Sequence, residues 1–166
     1  MTPPIPDAEA VLASLAERMR GAVAHEAAFV GIYSGGAWLA ERLPSLVPGD
    51  HPVGFIDVSF YRDDYATAGL KGGTRRTSLP FNVDGATIVL VDDVLYTGRS
   101  VRAAINELFD FGRPASIELA VLVDRGGREL PIEPTYCGAR LTVARDLSIV
   151  LSRDDGGRLS LGVQGP

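Results

Sequence analysis

Two adjacent carboxylates followed by a short polar loop form the stretch of this sequence best suited to chemistry. Asp92 and Asp93 directly follow the apolar run of residues 88–91, and Thr97-Gly98-Arg99-Ser100 comes shortly afterwards. A glycine- and hydroxyl-bearing loop that opens a helix can hold a phosphate through its backbone amides and the positive end of the helix dipole. Carboxylates can hold sugar hydroxyls or a hydrated magnesium ion. The stretch therefore suits a sugar phosphate.

Three strand-loop units are predicted to position these groups. Residues 88–91 are typical of a buried parallel strand, and the helix after the loop is predicted to begin at Ser100 as its cap and to end at Gly112. A second unit has a strand over residues 28–32, a turn over 33–36 and a helix over 37–43. A third has a strand over 116–123, after which Asp124 and Arg125 follow at the end where α/β sheets bind ligands.

The rest of the chain is predicted to pack around this frame. Residues 7–24 have the apolar spacing of an amphipathic helix, with Asp7 as its cap. A strand is predicted over residues 53–61, a closing hairpin within residues 141–161, and the polar stretch 65–86 is typical of a functional lid loop. His25 and His51 fall outside every motif and are predicted at the surface. Cys137 is the only cysteine, so neither a disulfide nor a zinc site is expected.

Length and composition are those of an ordinary globular domain. The 166 residues, 46% hydrophobic and 22% charged, predict a single domain over residues 1–166. No apolar run has the length of a membrane span and the N-terminus is not a signal peptide, so a cytoplasmic protein is expected. The net charge of −5 argues against a surface dominated by nucleic-acid contacts.

The central stretch, Val-Asp-Asp-Val-Leu-Tyr-Thr-Gly-Arg-Ser over residues 91–100, resembles the signature with which type I phosphoribosyltransferases bind phosphoribosyl pyrophosphate (PRPP). The sequence of this stretch is similar to that of the PyrR family, whose members are pyrimidine operon regulators and also uracil phosphoribosyltransferases. Tyr-Arg-Asp-Asp over residues 61–64 and Asp-Arg-Gly-Gly-Arg-Glu-Leu-Pro over 124–131 resemble further segments of that family. The resemblance implies an α/β fold with a mostly parallel central sheet flanked by helices, a small hood and a flexible lid loop.

The resemblance also implies a reaction and a set of site residues. The reaction is uracil plus PRPP giving UMP plus diphosphate, with Mg²⁺ held through PRPP and water and by no direct protein ligand. The residues fall into four groups: catalytic, Asp92, Asp93 and Asp124; PRPP-binding, Val91, Asp92, Asp93, Val94, Leu95, Tyr96, Thr97, Gly98, Arg99 and Ser100; pyrophosphate-binding, Ser34, Gly35, Gly36, Arg62 and Arg75; uracil-binding, Asp124 and Arg125.

The chain departs from the family pattern in three places. The pyrophosphate loop has Ser34-Gly35-Gly36 where relatives often carry Lys-Thr-Arg-Gly, so it keeps amide donors but lacks the cations. Gly127 stands where regulatory relatives carry histidine. Tyr96 stands where purine-using relatives often have an acid, so base catalysis is either weak, because the ring N–H of uracil is already fairly acidic, or carried by Asp124.

Three questions stay open at this level. Adjacent strand residues point to opposite faces, so Asp92 and Asp93 cannot do the same work, and Asp92 is structural if it points away. The protein is either an enzyme or an RNA-binding attenuation protein acting on pyrimidine leader mRNA, with incidental catalysis. A purine phosphoribosyltransferase is a further alternative. Relatives assemble, so a homo-oligomer is expected.

Overall fold

A five-stranded parallel sheet forms the centre of the computed structural model, which describes residues 3–59 and 76–166. Its strands lie in the order β2-β1-β3-β4-β5, and every neighbouring pair is parallel. The described elements in chain order are α1 (Ala8–Met19), β1 (Ala28–Ile32), α2 (Gly35–Arg42), a 3₁₀ turn (Leu43–Ser45), β2 (Val53–Ile56), β3 (Thr87–Leu95), α3 (Arg99–Phe111), β4 (Ser116–Asp124), β5 (Tyr136–Arg140), β6 (Ser148–Arg153) and β7 (Leu159–Gln164).

The helices bury both faces of the sheet. Val89 and Val91 of β3 pack into a cluster with α1, α2 and the antiparallel β6–β7 hairpin. Ile88 and Leu90, on the other face, pack with Leu108 and its neighbours on α3. A strand that alternates between two apolar layers must be apolar throughout, which is why residues 88–91 carry no polar side chain. The predicted α/β fold with a central parallel sheet and flanking helices is confirmed.

Several element boundaries differ from the predictions. The helix predicted over residues 7–24 ends at Met19, although Asp7 does cap it through the N–H of Ala10 at 3.2 Å. The strand predicted over 53–61 ends at Ile56. The strand predicted to stop at Val91 continues to Leu95, so both carboxylates belong to β3 itself.

Two further predictions are wrong. Ser100 does not cap α3, because the helix already begins at Arg99 and Gly98 occupies the cap position. His51 is buried, and its two ring nitrogens face the carbonyl oxygens of Ala27 and Pro48 at 2.7 and 3.1 Å. The predicted closing hairpin is confirmed as β6 and β7, and no described helix is long and apolar enough to cross a membrane.

Glu9 joins the first helix to the second and to the closing hairpin. Its carboxylate accepts two hydrogen bonds from the Arg42 guanidinium, at 2.7 and 3.2 Å, and one from the backbone N–H of Leu159 at 2.9 Å. The hydrogen bonds from Arg42 and Leu159, together with the charge of Arg42, lower the pKa of Glu9 from 4.5 to about 2. Glu9 is therefore ionised in the folded protein at any pH above that value.

We expect Glu9→Gln to destabilise the protein at neutral pH and much less in acid. The folded-state pKa lies below the unfolded value, so this stabilisation is complete above about pH 4.5 and is lost as the pH falls towards 2. Urea unfolding at pH 7 is expected to show a loss of about 1.5 kcal/mol, the lower end of the range for hydrogen bonds to a charged group, because the Arg42 side chain is 41% exposed. The exposed Glu17→Gln is the control. A Glu9→Gln deficit of the same size at pH 7 and pH 3 would contradict this assignment.

Candidate active site

Two loops lie side by side at the carboxyl end of the sheet. β1 and β3 are neighbours, paired from Ala28 with Ile88 to Gly31 with Val91. The turn after β1 leads into α2, and the loop after β3 leads into α3. Both helices therefore begin at the same edge of the sheet, where their unpaired N–H groups can meet an anion.

Asp92 and Asp93 face different loops. Asp93 lies against the start of α2, because a Cβ added to Gly35 would come within 2.3 Å of its Oδ2 atom. Asp92 is buried and lines a cavity of about 150 Å³ together with residues 94–101. The Asp93 carboxylate thus faces the start of α2 and the Asp92 carboxylate faces the loop before α3, as expected for neighbouring strand residues that point to opposite faces.

The loop before α3 has the geometry of an anion cradle. Gly98 has a φ of +95°, a left-handed conformation that favours glycine. The Thr97 hydroxyl accepts a hydrogen bond from the Arg99 N–H at 3.2 Å. The Arg99 guanidinium is turned to Glu129, with 2.9 Å between Nε and Oε1. This loop can therefore bind a phosphate mostly through backbone N–H groups, hydroxyl groups and the helix dipole.

The start of α2 is packed tightly against β1 and β3. A Cβ on Gly36 would lie 2.4 Å from the carbonyl oxygen of Val91, and one on Gly31 would lie 2.5 Å from the carbonyl oxygen of Gly36. Ser34 occupies the cap position of α2, and the peptide bond between Tyr33 and Ser34 is cis. The glycines let the helix start approach the sheet edge at a distance that no side chain would allow.

Asp124, at the end of β4, is held by two guanidinium groups. Arg128 donates to both carboxylate oxygens, at 2.9 and 2.7 Å, and Arg140 donates to Oδ2 at 2.9 Å. The N–H of Gly126 donates to Oδ1 at 2.9 Å. Burial alone would raise the pKa of Asp124, but these hydrogen bonds and charges lower it overall. An acceptor occupied in this way is a weak base, so the geometry argues against the proton-accepting role predicted for Asp124.

Comparison with known proteins agrees with this arrangement. The family model described as "Phosphoribosyl transferase domain" matches residues 4–140. The chain is 53% identical over 155 residues to the "Bifunctional protein PyrR" of Ralstonia nicotianae, covering 91% of this chain and 88% of that protein. It is 52% identical over 123 residues to the protein of the same name from Pseudomonas aeruginosa, covering 74% of this chain and 72% of that one. The chain belongs to the PyrR family of phosphoribosyltransferase-domain proteins.

Solved structures extend the likeness of fold beyond the PyrR family. A hypoxanthine-guanine phosphoribosyltransferase from Bacillus anthracis matches with a TM-score of 0.64 at 18% identity, covering 89% of this chain and 87% of that chain. A hypoxanthine phosphoribosyltransferase from Trypanosoma cruzi matches with a TM-score of 0.64 at 20% identity, covering 96% and 91% of the two chains. At such identities the likeness establishes the fold.

Arg128 is a site residue that the PyrR-like motif did not single out. Besides Asp124, its guanidinium donates to the backbone oxygens of Tyr96 at 3.1 Å and Ile132 at 2.7 Å. It therefore joins the end of β4 to the first residue of the loop between β3 and α3. Arg128 lies within the family-like segment 124–131, but its spacing from Asp124 does not predict their contact, because a spacing of four residues suggests an ion pair only within a helix, and residues 124–128 are not helical.

The predicted site residues are brought together in part. Asp92, Asp93, Asp124 and the two loops lie at the carboxyl ends of neighbouring strands. Arg125 follows β4 directly, but its guanidinium is turned away from solvent. Arg62 and Arg75, predicted to bind pyrophosphate, lie outside the described residues, as does the first half of the predicted lid loop, residues 65–75.

Proposed function

We propose that this PyrR-family chain transfers the phosphoribosyl group of PRPP to uracil, giving UMP and diphosphate. The observation that carries the proposal is the placement of Asp92 and Asp93 between two helix-opening loops on adjacent strands. A ribose that carries a 5′-phosphate and a 1-diphosphate can span such a pair of loops, with the 5′-phosphate in the cavity of residues 94–101 and the diphosphate at Ser34, Gly35 and Gly36. The family membership supports the same chemistry.

The reaction breaks the bond between the ribose C1 and the diphosphate oxygen and forms a bond from C1 to a ring nitrogen of uracil. Positive charge develops on the ribose ring and negative charge on the leaving diphosphate. Asp93, beside the α2 loop, is suited to the ribose hydroxyls and to the ring cation. The amides at the start of α2 are suited to the leaving group. Arg62 and Arg75 remain proposed sources of further positive charge.

The site fits a magnesium ion that is held through water and the substrate. Among residues 3–59 and 76–166 no three acidic, histidine or cysteine side chains lie close enough together to hold a metal. A carboxylate of β3 can accept hydrogen bonds from the water molecules of a hydrated Mg²⁺ ion, whose other ligands would be phosphate oxygens of the substrate. Such an ion would neutralise charge on the diphosphate. Asp93, beside the proposed diphosphate loop, would hold it through its bound water.

Deprotonation of uracil is the part of the reaction with no dedicated base in this proposal. Asp124 is occupied by Arg128 and Arg140, and a neutral phenol such as Tyr96 is a poor base near pH 7. The ring N–H of uracil is already acidic, so its proton can pass to water as the new bond forms. Asp124 and Arg125 then contribute by shaping the uracil side of the site.

A direct assay tests the proposal. The full chain is incubated with PRPP, uracil and Mg²⁺, and UMP and diphosphate are measured over time. We expect both products in equal amounts, with no UMP when PRPP is omitted. Absence of UMP formation in the presence of Mg²⁺ would contradict the proposed activity.

A second candidate function is UMP-responsive binding of pyrimidine leader mRNA. It is favoured by the name of the relatives, which calls them bifunctional. The net charge of −5 and the glycine at position 127 weigh against RNA as the main ligand. Titration with leader RNA, with and without UMP, tests it. An affinity no higher than for unrelated RNA would remove this function.

A further inference from the structure

Arg125 is a buried cation whose hydrogen bonds go to backbone carbonyls. Its side chain follows β4 and is only 8% exposed. Nη1 donates to the carbonyl oxygen of Leu147 at 2.6 Å, and Nη2 donates to that of Ala144 at 3.2 Å. Its Nε has no hydrogen-bond partner among the described residues. A buried guanidinium without a carboxylate is costly, so it persists only where its contacts are needed.

The Arg125 guanidinium also contacts the loop of residues 94–101, which is proposed to bind the 5′-phosphate. Its Cζ lies 4.0 Å from the ring centroid of Tyr96, a cation–π contact. Tyr96 also lies against Gly127, where an added Cβ would come within 2.3 Å of its Cε1 atom. Tyr96 lines the cavity of the phosphate loop. Arg125 therefore touches both this loop and residues 144–147.

Residues 141–147 lie at the carboxyl edge of the sheet. They follow β5, and the N–H of Leu141 donates to the carbonyl oxygen of Asp124 at 3.0 Å. The phosphate loop follows β3 and this segment follows β5. Because β4 lies between β3 and β5, the two are separated by the width of one strand. In a nucleotide the base is separated from the 5′-phosphate by one ribose, so a base could occupy the space beside this segment.

We propose that Arg125 is a positioning residue that holds residues 144–147 as a wall of the nucleobase subsite, at a fixed place relative to Tyr96 and the phosphate loop. The inference rests on the proposed function and deepens it. The sequence predicts that Arg125 binds uracil. In the structure both of its terminal nitrogens donate hydrogen bonds to residues 144–147. Arg125 therefore affects the base by positioning this wall.

The forked guanidinium is the property that this role requires. Arginine can donate to two carbonyl oxygens at once while its plane stacks on an aromatic ring, and lysine cannot. Arg125→Lys should therefore weaken UMP binding almost as much as Arg125→Gln does. If Arg125 instead contacted the base through its charge, lysine, which keeps the charge, would restore UMP binding.

The test compares the binding of UMP with the binding of ribose 5-phosphate by calorimetry on the full chain. For Arg125→Gln and Arg125→Lys we expect UMP to bind at least 10-fold more weakly and ribose 5-phosphate to change less than threefold. Arg153→Gln is the matched control, because Arg153 of β6 makes a similar contact, at 4.8 Å, with Trp38, which packs against the cluster of α1 and the closing hairpin. It should leave both affinities within twofold.

Three results would overturn the inference: equal weakening of both ligands, no weakening of UMP, or restoration of UMP binding by lysine. Hydrogen exchange provides a second readout, since Arg125→Gln should speed exchange in residues 144–147 and leave α1 unchanged. Unchanged exchange in residues 144–147 would also overturn it. If the wild-type protein binds ribose 5-phosphate but not UMP, the proposed function fails, and the exchange measurement still decides whether Arg125 holds the wall.

Discussion

Replacing Asp93 by asparagine is expected to lower kcat/KM for PRPP by about 100-fold or more, the usual scale for losing one preorganised electrostatic group. The carboxylate lies against Gly35, next to the proposed diphosphate loop. Its Oδ1 accepts a hydrogen bond from the Val94 N–H at 2.7 Å, which an asparagine oxygen can also accept. The variant should therefore fold normally and lose only the charge that stabilises the ribose cation and the hydrated magnesium ion.

Asp110→Asn is the matched control for this experiment. Asp110 is an exposed acid in the last turn of α3, and the same change there should leave kcat/KM within twofold. Thermal unfolding of both variants checks that the fold is intact. Activity of Asp93→Asn within threefold of wild type would exclude Asp93 from the reacting centre.

The second large effect is on stability. Asp124→Ala is expected to lower the free energy of unfolding by about 3 kcal/mol, because it leaves a largely buried cation whose remaining ion-pair partner is the exposed carboxylate of Glu133, at 3.5 Å. Arg128 carries most of this effect, since its side chain is 16% exposed whereas that of Arg140 is 70% exposed. Urea unfolding at pH 7 measures the loss.

A double-mutant cycle separates the ion pair from simple truncation. If the loss reflects an uncompensated Arg128, the double variant Asp124→Ala/Arg128→Gln should be clearly more stable than the sum of the two single variants predicts. Asp110→Ala is the control for removing an exposed acid. Strict additivity of the two single changes would contradict the claim that Asp124 and Arg128 act as a unit.

The parts of the site that the sequence predicts are those encoded locally. A continuous apolar run, two acids and a glycine-bearing loop lie within residues 88–100, and they form a strand, a cradle and a helix in that order. The turn predicted over residues 33–36 is correct only in part, because Gly35 and Gly36 already belong to α2. The predicted helix cap is wrong. Ser100 has a side chain that can cap a helix, but α3 begins one residue earlier, at Arg99, with the left-handed Gly98 at the cap position.

The parts that the sequence does not predict depend on partners distant along the chain. The acceptors for Arg125 are backbone oxygens of residues 144 and 147, and side-chain types say nothing about them. His51 is buried for a similar reason, because two backbone carbonyls face its ring. The role of Asp124 changes from base to ion-pair partner because Arg128 and Arg140 converge on it through the turn and through β5.

The central claim is that the carboxyl edge of this sheet joins uracil to PRPP. A screen of kcat/KM across nucleobases, with PRPP and Mg²⁺ saturating, tests it most directly. We predict turnover of uracil to UMP, with hypoxanthine and guanine converted at least 100-fold less efficiently. Turnover of hypoxanthine or guanine in preference to uracil would contradict the claim.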